Sequence, residues 1–224
     1  ASGKLRALKV LEAEAERLLA DPRSHLFFIR PFVRQWLDME QPITLVDDHR
    51  GKASYHFRRH LQDSMREETH SYFGRLIADD RPARELISSD WTMMNDALAR
   101  HYGYSGVRDG HLRKVRLRPD DKRGGGITSH AGIQSMLTWM GDNWVIYRGA
   151  WTAKHILDDP PQLPPLEVPE LDPTAGDNKH KTTRELMIQH REDPNCNVCH
   201  TKLDPIGFAF QNFDLSGRWR DVEH

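Results

Sequence analysis

The 224-residue chain has only two cysteines, and its 32 lysines and arginines are matched by 33 aspartates and glutamates. Two cysteines exclude a disulfide framework and a four-cysteine zinc site. The charge balance argues against bulk binding of nucleic acid, which draws on a basic excess. Long apolar runs are missing as well. Hydrophobic residues make up 38% of the chain and the mean hydropathy is -0.72, so no segment approaches a membrane span. The start, Ala1 to Leu19, is charged and amphipathic and lacks the apolar core of a signal peptide. Gly124-Gly125-Gly126 is not part of a G-x-x-x-x-G-K-[ST] run, which leaves it as a turn where backbone approaches something closely.

The two cysteines stand together, in Cys196-Asn197-Val198-Cys199-His200. C-x-x-C-H is the run through which a c-type haem is attached. Each thiol adds to one vinyl group of the porphyrin and forms a thioether. The vinyls sit on neighbouring pyrroles, so sulfurs about one helical turn apart reach both. His200 then lies under the iron as proximal ligand. Chance would produce this spacing in about one chain in two thousand of this composition. A zinc knuckle would need a second cysteine pair or a downstream H-x-x-x-H, and a thioredoxin-like dithiol would need a βαβ pattern; neither follows. One covalent haem c is therefore the expected cofactor. Haem is joined to this motif outside the cytoplasmic membrane in bacteria, so a periplasmic or otherwise extracytoplasmic location is expected. The sequence reads as a mature or trimmed piece of something longer.

The remaining pattern is mainly α: a helical module over 1–112, then a smaller, irregular haem-binding module over 113–224 with a proline-rich strap at about 160–173. Helices are expected at Lys4 to Ala20, from Asp21-Pro22 to about Met39 with Pro31 kinking it or delaying its start, and at Phe57 to Asp79. In the last of these, Leu61, Met65, Thr69, Tyr72, Phe73, Leu76 and Ile77 make the inner face, and Arg66, Glu67 and Glu68 are assigned to the outer one. His56 and His60 have metal-ligand spacing, but their arginine-flanked stretch favours a solvated face. Shorter helices are expected at Pro82 to Ile87 and, capped by Asp90, from Trp91 to Tyr102. Lys114 to Arg118 alternates like a strand. Helices return at Asn143 to Leu157 and Thr182 to His190, and Asp193-Pro194 opens the haem-bearing turn. Asp204 reads as a further cap before Pro205.

Around the motif, Phe208 is placed to wall a porphyrin face, together with Phe210 and Phe213. Arg218, with Arg220, could pair with haem propionates. The distal side of the iron is open: His130 is the favoured ligand, with Met136, Met140, His180 and His190 as alternatives.

These motifs resemble the large planctomycete-type cytochrome c proteins, built from consecutive modules of unknown function. One module of that family carries L-A-D-P-R-S, Q-W-L, M-R-x-E-T, L-N-x-x-L-A-x-x-Y-G and G-V. The counterparts here are Leu19 to Ser24, Gln35-Trp36-Leu37, Met65 to Thr69, Asn95 to Gly103 and Gly106-Val107. The next module carries a Gly-rich start, R-G-x-W, a proline strap and C-x-x-C-H-x-x-M-D-P-x-G-F-A-L-E-N-F-D-x-x-G-R-W-R, matched by Arg148-Gly149-Ala150-Trp151, the prolines from Pro160, and Cys196 through Arg220. Leu203 replaces the family's Met, Phe210-Gln211 replaces Leu-Glu, and the stretch from Thr128 to Tyr147 is rich in Trp and Met where the family has Thr and Ser. The resemblance implies a periplasmic haem protein and little about substrate.

Three functions fit. The first is an electron-transfer module that exchanges electrons with a redox partner protein, another haem module or further chains of the same complex. The second is a haem oxidoreductase with an open distal site, for peroxide or an organic substrate, walled by Trp139, Trp144 and Trp151. The third is a haem-bearing structural subunit of a larger complex.

Overall fold

The computed structural model describes residues 4–41, 43, 55–138, 144–162 and 176–222. Within them the protein is mainly helical, with one small antiparallel pair of strands. Most of the proline strap lies outside the described residues, as do Met140 and Trp139.

A 3-10 turn at Lys4–Arg6 leads into α1, Leu8–Leu19. α1 is amphipathic, yet it buries no residue: Leu8, Leu11, Leu18 and Leu19 all stay exposed. Asp21 caps a turn by accepting from the Arg23 N–H. The chain winds as π-helix over His25–Ile29 before α2, Arg30–Trp36, begins. Pro31, in the first turn of α2, has no N–H to lose there, which accounts for the delayed start. α2 buries Val33, and Leu37 follows it inward, but Phe28 and Phe32 are exposed.

The long helix α3, Tyr55–Ala78, is the spine. Leu61, Met65, Thr69, Tyr72 and Leu76 are buried as their spacing predicts. After a 3-10 turn at Ala83–Leu86 comes a correction. Trp91–Met94 is a strand, β1, and not the start of a helix. It pairs with β2, Arg113–Arg116, in the register Trp91↔Arg116 to Met94↔Arg113. Asn95, rather than Asp90, caps the helix that follows: its side chain accepts from Leu98 N–H to open α4, Asp96–His101. The glycine run after β2 lies against the backbone of Ile87 and Ser89, a close approach that side chains would block.

The second half supplies α5, Ala131–Met136, and α6, Trp144–His155. It also supplies α7, Thr183–His190, and α8, Pro194–Phe208. Its residues enter the same core as the first half. Ile127, Ile133, Met136 and Trp151 pack with Val33, Leu37, Tyr72 and Trp91. Trp151 donates its indole N–H to the Leu37 carbonyl at 2.8 Å, and Trp36 donates to the His155 carbonyl at 2.9 Å.

The R-G-x-W segment now has a physical reading. Arg148 is fully buried. Its guanidinium donates to the carbonyls of Phe210, Phe213, Asp214 and Gln134 at 2.8 to 3.3 Å, which pins the turns after α8 to α5. Burial pulls this guanidinium down to about 9, so it stays charged at neutral pH. Gly149 lets α8 cross α6 at backbone distance, since a methyl there would overlap the Leu203 carbonyl. Gly207 meets the Val145 carbonyl in the same way from the other helix. Adding that methyl by Gly149→Ala should destabilise the protein by about 1 to 3 kcal/mol through overpacking. A urea midpoint unchanged from wild type would contradict the crossing.

Candidate functional site

α8 begins with Pro194 at its first position, where the missing N–H costs nothing. Cys196, Cys199 and His200 follow within its first two turns. The cysteines are three apart, so both thiols project from one side of the helix, and both are half-buried and unbridged. Burial, with Asp193 close by, pushes the Cys196 thiol up from its ordinary value.

His200 is half-buried and its Nδ1 lies 2.9 Å from Oδ1 of Asp204. Asp204 is 1% exposed. The other carboxylate oxygen faces Arg191 Nε at 3.5 Å. Nδ1–H donates to the carboxylate, which leaves the Nε2 lone pair as the ring's metal-binding nitrogen. His190, the last residue of α7, packs its ring at 4.9 Å and 67° to that of His200. Burial first and His200 second hold His190 below the ordinary imidazole range. Asp204 is thus no cap, because α8 runs on through Pro205 to Phe208.

α7 is set by a capping box. Thr182 Oγ1 accepts from the Glu185 N–H, and the Glu185 carboxylate accepts from the Thr182 N–H at 2.8 Å.

The other residues nominated around the motif make contacts of their own within the protein. Phe208 packs with Val145, Met187 and Leu215, under the Arg184 guanidinium at 3.9 Å. Phe213 is buried edge-on to Trp219. Arg218 Nε donates to His101 Nδ1 at 3.3 Å, with the His101 Nε2–H donating to the Ser216 carbonyl. These contacts tie the C-terminal turns to α4.

His130, favoured as distal ligand, lies inside the core. It is fully buried, with Nδ1 3.0 Å from Thr69 Oγ1 and Nε2 3.2 Å from Thr92 Oγ1. Thr92 gives its own hydroxyl proton to Glu68, so it accepts from Nε2–H, and Nδ1 accepts from Thr69. Both ring nitrogens are therefore used within the core. Burial, with Arg123 nearby, keeps the ring neutral by lowering its pKa well below the usual value. Met136 is likewise a core residue and His180 is exposed. His60 has Asp96 at 3.5 Å, and the side chain of His56 lies outside the described residues.

The reading of the sequence missed Glu68. Its charge assigned it to the solvent side of α3, but it lies three residues after Met65 and four before Tyr72, on the inner face. It is 0% exposed and accepts from Thr92 at 2.8 Å and from the Tyr102 hydroxyl at 2.5 Å. Tyr102 in turn accepts from the Ala131 N–H, and the Arg123 guanidinium stacks 3.6 Å over the Tyr102 ring. This polar core joins α3, β1, α4 and the start of α5.

Among the described residues, no group of three or more His, Cys, Asp or Glu side chains converges to hold a metal ion. No helix among them is long and apolar enough to cross a membrane.

The fold and the α8 arrangement define a mainly helical chain with a C-x-x-C-H helix seated on a core shared by both halves. Residues 1–104 match the family model PSD4, a protein of unknown function (DUF1592), and residues 123–223 match PSCyt3, a protein of unknown function (DUF1588). The two matched stretches lie in tandem, and each is similar to a family known as planctomycete cytochrome-c-associated. No curated protein and no solved structure matches it.

Burial pushes the Glu68 carboxyl up to about 7, against the pull of Arg123 and the two hydroxyl donors. The folded state therefore favours the protonated acid. Its contribution to stability is complete below the ordinary carboxyl range and is lost as pH rises through about 7. Glu68→Gln stays neutral at every pH. Its stability relative to wild type should rise by on the order of 2 to 3 kcal/mol between about pH 5 and pH 8. A difference that does not change with pH, measured by urea unfolding, would refute this assignment.

Proposed function

We propose that the chain is a c-type cytochrome module that carries one haem on Cys196 and Cys199, with His200 as proximal ligand, and transfers electrons outside the cytoplasmic membrane. The observation that carries this reading is the helix itself: two accessible thiols one turn apart, followed by an imidazole whose Nδ1 is already engaged. That is the donor set the group needs, presented from one rigid element. The alternatives fit less well. The raised Cys196 thiol is unlike the depressed thiolate of a redox dithiol, and the described residues bring no further ligands for a zinc ion.

When bound, the haem supplies a one-electron iron couple tuned by its axial ligands and surroundings. The chain's part is to hold it and set its environment. Cys196 and Cys199 anchor it covalently, Asp204 orients His200, and the α6–α8 crossing fixes the helix that bears all three. A redox partner protein or another haem module would approach this half-exposed face.

One observation favours a second reading. Of the residues nominated for the distal side, His130 and Met136 are locked in the core and His190 packs against His200 itself. That leaves the exposed His180 as the one nominated ligand among the described residues not so engaged, and a distal position that it does not fill would suit a haem oxidoreductase.

Expression in a host competent in c-type maturation tests both. The wild type should show a Soret band that survives acid-acetone extraction. Cys196→Ala should weaken or abolish it, and His200→Ala should leave attached but mis-ligated haem. No Soret band in the wild type would remove the proposal. Low-spin ferrous protein that ignores carbon monoxide supports the carrier; rapid carbon monoxide binding supports the oxidoreductase.

A further inference from the structure

Asp204 is a carboxylate inside a helix, where its neighbours' N–H groups are already used and it has nothing to cap. Burying such a charge is costly unless it is paired. Among the described residues, two polar groups lie against it: Nδ1 of His200 on Oδ1 at 2.9 Å, and Nε of the half-buried Arg191 on the Oδ2 side at 3.5 Å. The spacing is four residues, which stacks Asp204 directly over His200 on one face of α8. Arg191 reaches in from the C-cap of α7.

Resting on the haem reading above, we propose that Asp204 is a positioning residue that tunes the iron through His200. Its acceptor oxygen holds the imidazole in the Nδ1–H form and fixes the ring's angle on α8. Its negative charge, shielded from water, draws on that proton and makes Nε2 a stronger electron donor, which favours the ferric state. Arg191 is the counter-charge. By sharing the carboxylate it limits how far the donation goes, so the pair sets the potential between two limits. The Leu203-Asp204-Pro205 segment of the motif thereby gains a role for its acidic member beyond local chain geometry.

Redox titration of the haem-loaded protein, followed optically, tests this. Asp204→Asn keeps the shape and an acceptor oxygen but removes the charge. The midpoint should rise, by about tenfold in the reduction equilibrium, which is about 59 mV for a one-electron couple. Asp204→Glu should bring it back toward wild type. Arg191→Gln should shift the midpoint the other way, and that shift should shrink when combined with Asp204→Asn. A midpoint unmoved by Asp204→Asn, or an Arg191→Gln shift of equal size in both backgrounds, would overturn the proposal. Should Asp204→Asn fail to fold, Arg191→Gln decides alone: a lower midpoint supports the pairing and an unmoved one refutes it. Wild type without covalent haem would instead remove the underlying reading, whereas loaded protein with unmoved potentials removes only the role of Asp204.

Discussion

One buried guanidinium holds the second half of this protein in shape. Arg148 donates to four backbone carbonyls, three of them in the irregular turns that follow α8 and one in α5. Those turns have few hydrogen bonds of regular structure to hold them, so their carbonyls need a donor, and a charged one makes the stronger bonds. The adjacent Gly149 brings α8 to backbone distance, and Trp151, two residues on, anchors the same helix to the Leu37 carbonyl. One turn of α6 thereby fixes the tail, the C-x-x-C-H helix and the contact with α2. The orientation of Cys196, Cys199 and His200 relative to the body follows from this single turn.

The two matched stretches are joined by more than a linker. Apolar residues of both fill one core, with Ile133, Met136 and Trp151 against Tyr72 and Trp91. At its centre lies a polar network in which Glu68 and Thr69 of α3, Thr92 of β1, Tyr102 after α4, and His130 and Ala131 before and in α5 satisfy one another. Such a network is favourable only when complete, since an unpaired buried polar group costs about 1 to 3 kcal/mol. Separating the halves would strand His130, whose partners Thr69 and Thr92 lie in the first half, and the Ala131 N–H that Tyr102 accepts from. The pairing of the two stretches in sequence thus has a physical counterpart in the pairing of their polar groups.

Much of the fold was legible in the sequence where a single period ran long enough. The 24 residues of α3 show their inner face in the spacing of Leu61, Met65, Tyr72 and Leu76, and the Asp193-Pro194 start of α8 is visible in its capping chemistry. Trp91 to Met94 was not legible, because four apolar residues fit a helix or a strand equally and only the partner strand, about twenty residues on, decides. Glu68 and Asp204 were misread for one shared reason. A charged side chain is assigned to the surface or to a cap by its type, whereas its burial depends on partners brought from elsewhere: Thr92 and Tyr102 in one case, Arg191 in the other. For Asp204 a signal was present, since a carboxylate four residues after a histidine in a helix faces it. Phe208 and Arg218 were nominated by proximity in sequence to the motif: Phe208 ends the same helix, whereas Arg218 lies in the turns beyond it and reaches His101.

The central claim is that α8 is built to hold a covalent haem. Intact-mass measurement under denaturing conditions tests it most directly, on chain produced alongside the c-type maturation machinery. The account predicts a single species heavier than the polypeptide by one haem, which survives unfolding because both links are thioethers. Polypeptide mass alone, from cells in which a control cytochrome is fully loaded, would contradict it.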